Sequence, residues 1–298
     1  MKTQNSTRCG YVAIVGRPNV GKSTLLNALV GEKLSIVTPK PQTTRNVVLG
    51  IVTDDDAQLI LWDTPGLLTP SYRLQQAMAQ SIQRSLVDAD VMLLLVNAER
   101  GIEGLGEEER RVLSSVHIPA VVAINKIDIA ADGIVAAMAE AARELVSAQQ
   151  LVLISALRGE HVDELKGLLK ALLPEGPFFY PPDLITEQPE RFFVAEIIRE
   201  KILSEFRQEI PYATSVLIEE YREREPKTYI RATIYVERVS QKGIVVGVKG
   251  RMLKKVGQAA RRDIEHFTQH PVYLELWVKV REKWRENERD LRAFGYVE

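Results

Sequence analysis

The residues most able to do chemistry begin with Gly16-Arg17-Pro18-Asn19-Val20-Gly21-Lys22-Ser23, which fit G-x-x-x-x-G-K-S. Glycines at Gly16 and Gly21 allow a tight turn whose backbone N–H groups point inward at phosphate oxygens. A following helix adds the partial positive charge of its N-terminus. Lys22 can then reach the β- and γ-phosphates, and the Ser23 hydroxyl can bind magnesium. Further along, Asp63-Thr64-Pro65-Gly66 supplies a carboxylate for a nucleotide-bound Mg²⁺. Gly66 has no side chain to block its N–H from a γ-phosphate. Between the two lies a polar stretch ending in Pro39-Lys40-Pro41-Gln42-Thr43-Thr44-Arg45, read as a mobile loop. Either of its threonines could join the metal site.

These residues need elements to hold them. Tyr11–Val15 reads as a short buried strand and Ser23–Val30 as a helix with Gly31 at its C-cap. Asn46–Thr53 and Gln58–Trp62 read as strands joined by an acidic turn too short for anything but an antiparallel pair. Helical patterns at 70–89, 107–116, 134–148 and 163–173 then alternate with buried strands at 91–96, 120–124 and 151–154. Such alternation predicts an α/β fold with a mixed, mostly parallel sheet. Every chemical segment follows a strand's carboxyl end, where such sheets bind ligands.

The chain has 298 residues, one cysteine (Cys9) and a formal net charge of −1. Composition is that of a soluble globular protein, and an intrachain disulfide is excluded. The first eight residues are polar, without the apolar core of a signal peptide, and no apolar run is long enough to span a membrane. A cytoplasmic protein is expected. The charge is unevenly placed: residues 191–298 carry 22 Lys+Arg against 17 Asp+Glu, a net of +5, which leaves −6 for the remainder. The four histidines show no metal-ligand clustering.

The phosphate loop, the threonine loop, Asp63-x-x-Gly66, Asn125-Lys126-Ile127-Asp128 and Ser155-Ala156-Leu157 occur in this order at these strand ends. That set resembles the Ras-like GTPase superfamily over the whole first domain, taken as 9–173. The resemblance implies GTP or GDP as ligand, with magnesium. Asp128 can accept guanine N1–H and the N2 amino group, a pair adenine does not offer. Asn125 can tie the base-binding loop to the phosphate loop, the Lys126 stem can lie over the base, and the Ala156 N–H can donate to guanine O6. Gly16, Asn19, Val20, Gly21, Lys22, Ser23, Thr24, Asp63, Gly66, Asn125, Lys126, Asp128, Ser155, Ala156 and Leu157 are the expected nucleotide contacts. Lys22, Thr44, Asp63, Gly66 and Asn19 are the expected catalytic set. Thr44 is favoured over Thr43 as the metal ligand by resemblance to related T-T-R segments. Leu67 departs from the pattern: the residue after D-x-x-G is usually a glutamine that orients water, and leucine cannot hydrogen-bond. Hydrophobic Leu67 together with Asn19 resembles the potassium-stimulated GTPases, in which K⁺ takes the place of an arginine finger. A slow, K⁺-stimulated hydrolysis is expected.

A proline-rich connector, 174–189, follows. Residues 190–298 then read as helix, strand, strand, helix, Gly247-Val248-Lys249-Gly250, helix, strand, and resemble a type II KH domain, an α+β RNA-binding module. Its G-x-x-G loop would clamp a nucleic-acid backbone. From Arg238 to Arg262 there are eight basic residues and no acidic one, an electrostatic footprint for phosphates. Lys242, Gly243, Gly247, Val248, Lys249, Gly250, Arg251, Lys254 and Lys255 are the expected RNA contacts. Some of Ile244, Val245, Val246 and Val248 would line the groove for bases. Residues 281–298 read as a terminal helix or tail docked on its own domain.

Together the two modules are similar to the Era family of bacterial GTPases. The resemblance implies binding to the 3′ end of small-subunit (16S) ribosomal RNA, a role in assembly of the small (30S) ribosomal subunit, and peripheral contact with the cytoplasmic face of the inner membrane. No obligate protein partner is evident. The alternative is a nucleotide-regulated RNA-binding module of another RNA-processing pathway with negligible turnover. A tRNA-modification GTPase is disfavoured because the only cysteine is Cys9 rather than a C-terminal one. The single phosphate loop excludes double-G-domain relatives.

Overall fold

A computed structural model describes residues 7–130 and 135–297. The chain divides into two compact units, one running to Ser71 and from Gln75 to Glu187, the other comprising Tyr72–Leu74 and Gln188 onward.

The first unit is a six-stranded sheet of β1 (Arg8–Val15), β2 (Val48–Thr53), β3 (Ala57–Asp63), β4 (Val91–Asn97), β5 (Ala120–Asn125) and β6 (Gln150–Ile154), in the order β2-β3-β1-β4-β5-β6. Only β2 runs antiparallel, paired with β3. The helices are α1 (Lys22–Val30), α2 (Arg73–Asp88), α3 (Glu107–Ser114), α4 (Val135–Leu145) and α5 (Val162–Leu172). The central strands carry apolar side chains on both faces, as a sheet covered on both sides requires; β4 is buried along its whole length. The expected helix 134–148 stops short at Leu145, and residue 134 lies outside the described residues.

Residues 174–187 are not a free tether. Ile51 N–H donates to the Ile185 carbonyl at 2.8 Å and Thr186 Oγ1 to the Leu49 carbonyl at 2.7 Å. Gln58, fully buried on β3, accepts from the Phe179 and Tyr180 N–H groups at 2.9 and 3.0 Å. Its amide donates to the Tyr180 carbonyl at 2.9 Å. Phe178, Tyr180 and Leu184 pack on a cluster formed by Cys9, Leu49, Ile51 and Ile60. The segment is thus a strap laid on the β2–β3–β1 side of the sheet.

The second unit contains α6 (Glu190–Glu205), α7 (Ile210–Ala213), β7 (Ser215–Arg222), β8 (Thr228–Val236), α8 (Val239–Val246), α9 (Arg251–Thr268), β9 (Val272–Val280) and α10 (Glu288–Ala293). Its sheet order is β7-β8-β9, with β7–β8 antiparallel and β8–β9 parallel. The parallel pair is what the α8–α9 crossover imposes. The helices cover one face through Ile198, Ile202, Val245, Val256, Ala260 and Ile264. The short α7 was not expected from the sequence. The tail folds back as expected: Trp284 is fully buried and its indole N–H donates to the Ala213 carbonyl at 2.9 Å.

Candidate nucleotide site and nucleic-acid interface

The phosphate loop joins the end of β1 to α1. Gly21 sits at φ 105°, and a Cβ there would lie 2.3 Å from the Asn125 side-chain nitrogen. Only glycine fits both the backbone angle and the approach. Asn125, at the end of β5 and 2 % exposed, donates from Nδ2 to the Val20 carbonyl at 2.8 Å. The tie between base loop and phosphate loop is therefore present. Asn125 Oδ1 also accepts the Ala156 N–H at 2.9 Å. In this structure the Ala156 N–H, expected at guanine O6, donates to Asn125.

Lys22 folds over its own loop, with Nζ 3.1 Å from the Gly16 carbonyl and 3.2 Å from that of Arg17. Burial pushes its ammonium down to about 8, against the opposing pull of Asp63. A bound phosphate would supply the countercharge that these neutral carbonyls do not.

Beside it, hydroxyls converge on one carboxylate. Asp63 is fully buried at the end of β3. Its Oδ2 accepts from Ser23 Oγ at 2.7 Å, Ser35 Oγ at 2.9 Å and Thr44 Oγ1 at 3.5 Å. Ser23 Oγ and Thr44 Oγ1 lie 3.0 Å apart. Burial raises the Asp63 pKa, while Lys22 and the three hydroxyls oppose the rise. Asp63 Oδ1 is buried with no hydrogen-bond partner among the described residues. Hard oxygen donors around an unsatisfied buried carboxylate oxygen suit a small divalent cation such as Mg²⁺. The two candidate threonines are separated by geometry. Thr43 Oγ1 turns to the Lys40 carbonyl and Thr38 Oγ1, both at 2.7 Å, while Thr44 faces Ser23 and Asp63. Ser35 is a residue that sequence reasoning missed. Nothing in its aperiodic surroundings marks it.

Gly66 lies directly against the phosphate loop, where a Cβ would come within 2.7 Å of the Pro18 nitrogen. Leu67 N–H donates to the Gly16 carbonyl at 2.9 Å, and its 5 % exposed side chain belongs to the hydrophobic core. Asn19, at φ 63°, donates from Nδ2 to the Pro39 carbonyl of the threonine loop at 2.9 Å.

At the base end, Asp128 accepts from Ser155 Oγ at 2.8 Å, and Arg158 Nε stands 3.8 Å from its other oxygen. Exposed Ile129 and Leu157, with Lys126, rim the same space. One cavity of about 410 Å³ runs from Gly21, Lys22, Ser23 and Thr24 past Thr44 and Gly66 to Asn125 and Asp128. That is within the usual volume of a small-ligand pocket.

In the second unit, α8 ends at Gly247 and Gly250 opens α9, with Lys249 between them at φ 51°. Val248 and Lys249 project into solvent at this turn. A groove of about 420 Å³ runs from Gly250 along α9 and β9, lined by Leu253, Lys254, Gly257, Gln258, Arg261, Leu274 and Leu276. Of the expected contacts, Gly250 and Lys254 line it. Gly247, Val248, Lys249 and Arg251 flank its mouth in the chain, and exposed Lys242 and Gly243 lie on α8. Lys255 does not join them: its Nζ pairs with Glu205 on α6 at 2.5 Å. Val245 is core rather than groove lining, and the apolar floor is made by Leu253, Leu274 and Leu276. The missed signal was the helical spacing of Leu253, Gly257 and Arg261 on one face of α9.

Comparisons with known proteins identify the family. A family model described as a 50S ribosome-binding GTPase matches residues 11–126, and a KH-domain model matches residues 209–285. GTPase Era of Caldanaerobacter subterraneus subsp. tengcongensis is 45% identical, the match covering 97% of this chain and 98% of that one. A crystal structure of an Aquifex aeolicus Era variant bound to GDP·AlF4⁻ superposes with a TM-score of 0.92 at 39% identity, covering 98% of this chain and 100% of the other. A structure of Era in complex with MgGDPNP and nucleotides 1506–1542 of 16S ribosomal RNA matches equally well, at TM-score 0.92, 39% identity and the same coverage. With a GTPase module and a KH module in one chain and 45% identity to an Era over nearly its whole length, this protein belongs to the Era family of GTPases.

Proposed function

We propose that this GTPase is a switch that binds small-subunit ribosomal RNA near its 3′ end and assists assembly of the 30S subunit. The observation that carries the reading is the pairing, in one chain, of a guanine-type cavity with a basic, apolar-floored KH groove. The likeness to Era solved on a 16S fragment supports that choice of RNA. The protein would work in the cytoplasm, with peripheral contact at the cytoplasmic face of the inner membrane. Among the described residues no helix is long and apolar enough to cross a membrane.

Ser23, Thr44 and Asp63 would hold Mg²⁺, Asp63 through water, and the metal would neutralise charge on the β- and γ-phosphates. The chain's residues position the rest. Lys22 binds the phosphates, Gly66 N–H meets the γ-phosphate, and the Thr44 carbonyl orients the attacking water. Because Leu67 is buried, no side chain at that position takes part. Asn19 stands at the phosphate loop where K⁺ would add positive charge. Hydrolysis is expected to run several-fold faster in KCl than in NaCl, and Asn19→Ala is expected to abolish the difference. Equal rates in both salts, unaffected by the substitution, would remove the potassium role. Order in the Thr38–Thr44 segment, gained with the γ-phosphate and lost on hydrolysis, would couple nucleotide state to RNA presentation.

The test is RNA crosslinking in cells followed by sequencing of the bound fragments. A sharp peak at the 3′ end of the small-subunit rRNA is expected. A dominant peak on another RNA would leave the GTPase but place it in another RNA-processing pathway.

A further inference from the structure

We propose that Ser35 is a positioning residue for the metal-side carboxylate, fixing Asp63 from behind while Ser23 and Thr44 face the cation. The inference rests on reading Asp63 as the carboxylate of a magnesium site.

Ser35 is 2 % exposed and is not among the residues that line the nucleotide cavity. Its hydroxyl cannot act on nucleotide directly, yet it donates to Asp63 Oδ2 at 2.9 Å. The Ser23 and Thr44 hydroxyls on the same oxygen line the cavity and can turn their lone pairs to a metal. Among the described residues, the hydrogen bond of the Ser35 hydroxyl is the one to this carboxylate. It is held by Asn27, one helical turn beyond Ser23 on α1. Asn27 Oδ1 accepts the Leu34 and Ser35 N–H groups at 3.0 and 2.8 Å, and Nδ2 donates to the Ser35 carbonyl at 2.8 Å. A chain of contacts therefore runs from α1 through Asn27 and Ser35 to Asp63. One helix sets both the metal-facing serine and the rear anchor of the carboxylate. Such an anchor leaves Asp63 Oδ1 in one orientation whatever the Thr38–Thr44 segment does. Groups that orient a metal-site carboxylate typically alter metal affinity 10–100-fold when removed.

The experiment measures release of a fluorescent methylanthraniloyl-GDP from the full chain across a MgCl₂ titration, and again in EDTA. Ser35→Ala is expected to raise the magnesium concentration that half-slows release about tenfold, with the EDTA rate unchanged. Ser35→Cys, which keeps the size but donates poorly, is expected to shift the same way and serves if the alanine variant fails to fold. A wild-type magnesium midpoint in a folded variant overturns the assignment. So does an equal loss of affinity in EDTA, which would mean that Ser35 shapes the loop rather than the carboxylate. If the wild-type protein is itself insensitive to magnesium, the metal reading fails and takes this one with it.

Discussion

Asp128→Asn is expected to lower GTP affinity by roughly two to four orders of magnitude and to shift preference toward xanthosine triphosphate. In the proposed reading the carboxylate would accept from guanine N1–H and from the N2 amino group. Each charge-assisted bond contributes about 1.5–3 kcal/mol. Asparagine keeps one acceptor but sets an N–H₂ donor against a donor on the base. Xanthine carries an oxo group at that carbon and restores the match. Water gives little relief, because the Asp128 side chain is only 8 % exposed and is fixed by Ser155 at 2.8 Å. Sites built to pair buried polar groups discriminate strongly for this reason. Competition of GTP and XTP against a fluorescent guanine nucleotide reads the ratio directly. An unchanged ratio would mean that Asp128 does not read the base.

The second large effect concerns RNA. Lys249→Asp is expected to weaken binding of a 3′-end rRNA fragment by about 10–100-fold at 0.1 M salt. The slope of log K against log salt should become shallower by about one phosphate contact. Aspartate suits the test. Lys249 sits in the left-handed region at φ 51°, which Asp tolerates better than most residues. The turn between α8 and α9 then survives while the charge reverses. Nucleotide affinity, held in the other unit, reports whether the protein is intact. Fluorescence anisotropy between 50 and 200 mM KCl gives both quantities. An unaltered slope would place the backbone clamp elsewhere than at the G-x-x-G turn.

The sequence carried the fold because its signals were periodic. Buried strands alternate with amphipathic helices, and each functional loop follows a strand end. It carried Asn125 and Asp128 because their spacing is fixed by one short turn. It could not carry Ser35, whose role depends on Asn27 folding the chain back by hydrogen bonds that leave no periodic trace. Nor could it show that the Ala156 N–H is already engaged, since that bond joins the ends of two neighbouring strands. Between Thr43 and Thr44 the residues themselves offered no physical ground for choosing, since only the fold of the loop turns Thr43 to Lys40 and Thr44 to Ser23. Lys254 and Lys255 split for a simpler reason: consecutive helical positions point about 100° apart, so one reaches the groove and the other Glu205.

The strap over 174–187 bears on how the first unit behaves when cut from the second. β2 is an outer strand, and an outer strand with open hydrogen-bonding groups is a template for pairing with another molecule. Ile185 and Thr186 occupy that edge at Ile51 and Leu49, and Phe178, Tyr180 and Leu184 roof the apolar patch beside it. A fragment ending at Leu173 would retain every nucleotide contact and still be prone to self-association. One carried on to Glu187 would keep its edge sealed. Residues 174–187, most of the stretch that reads in the sequence as a proline-rich connector (174–189), are therefore expected also to guard the sheet edge against aggregation.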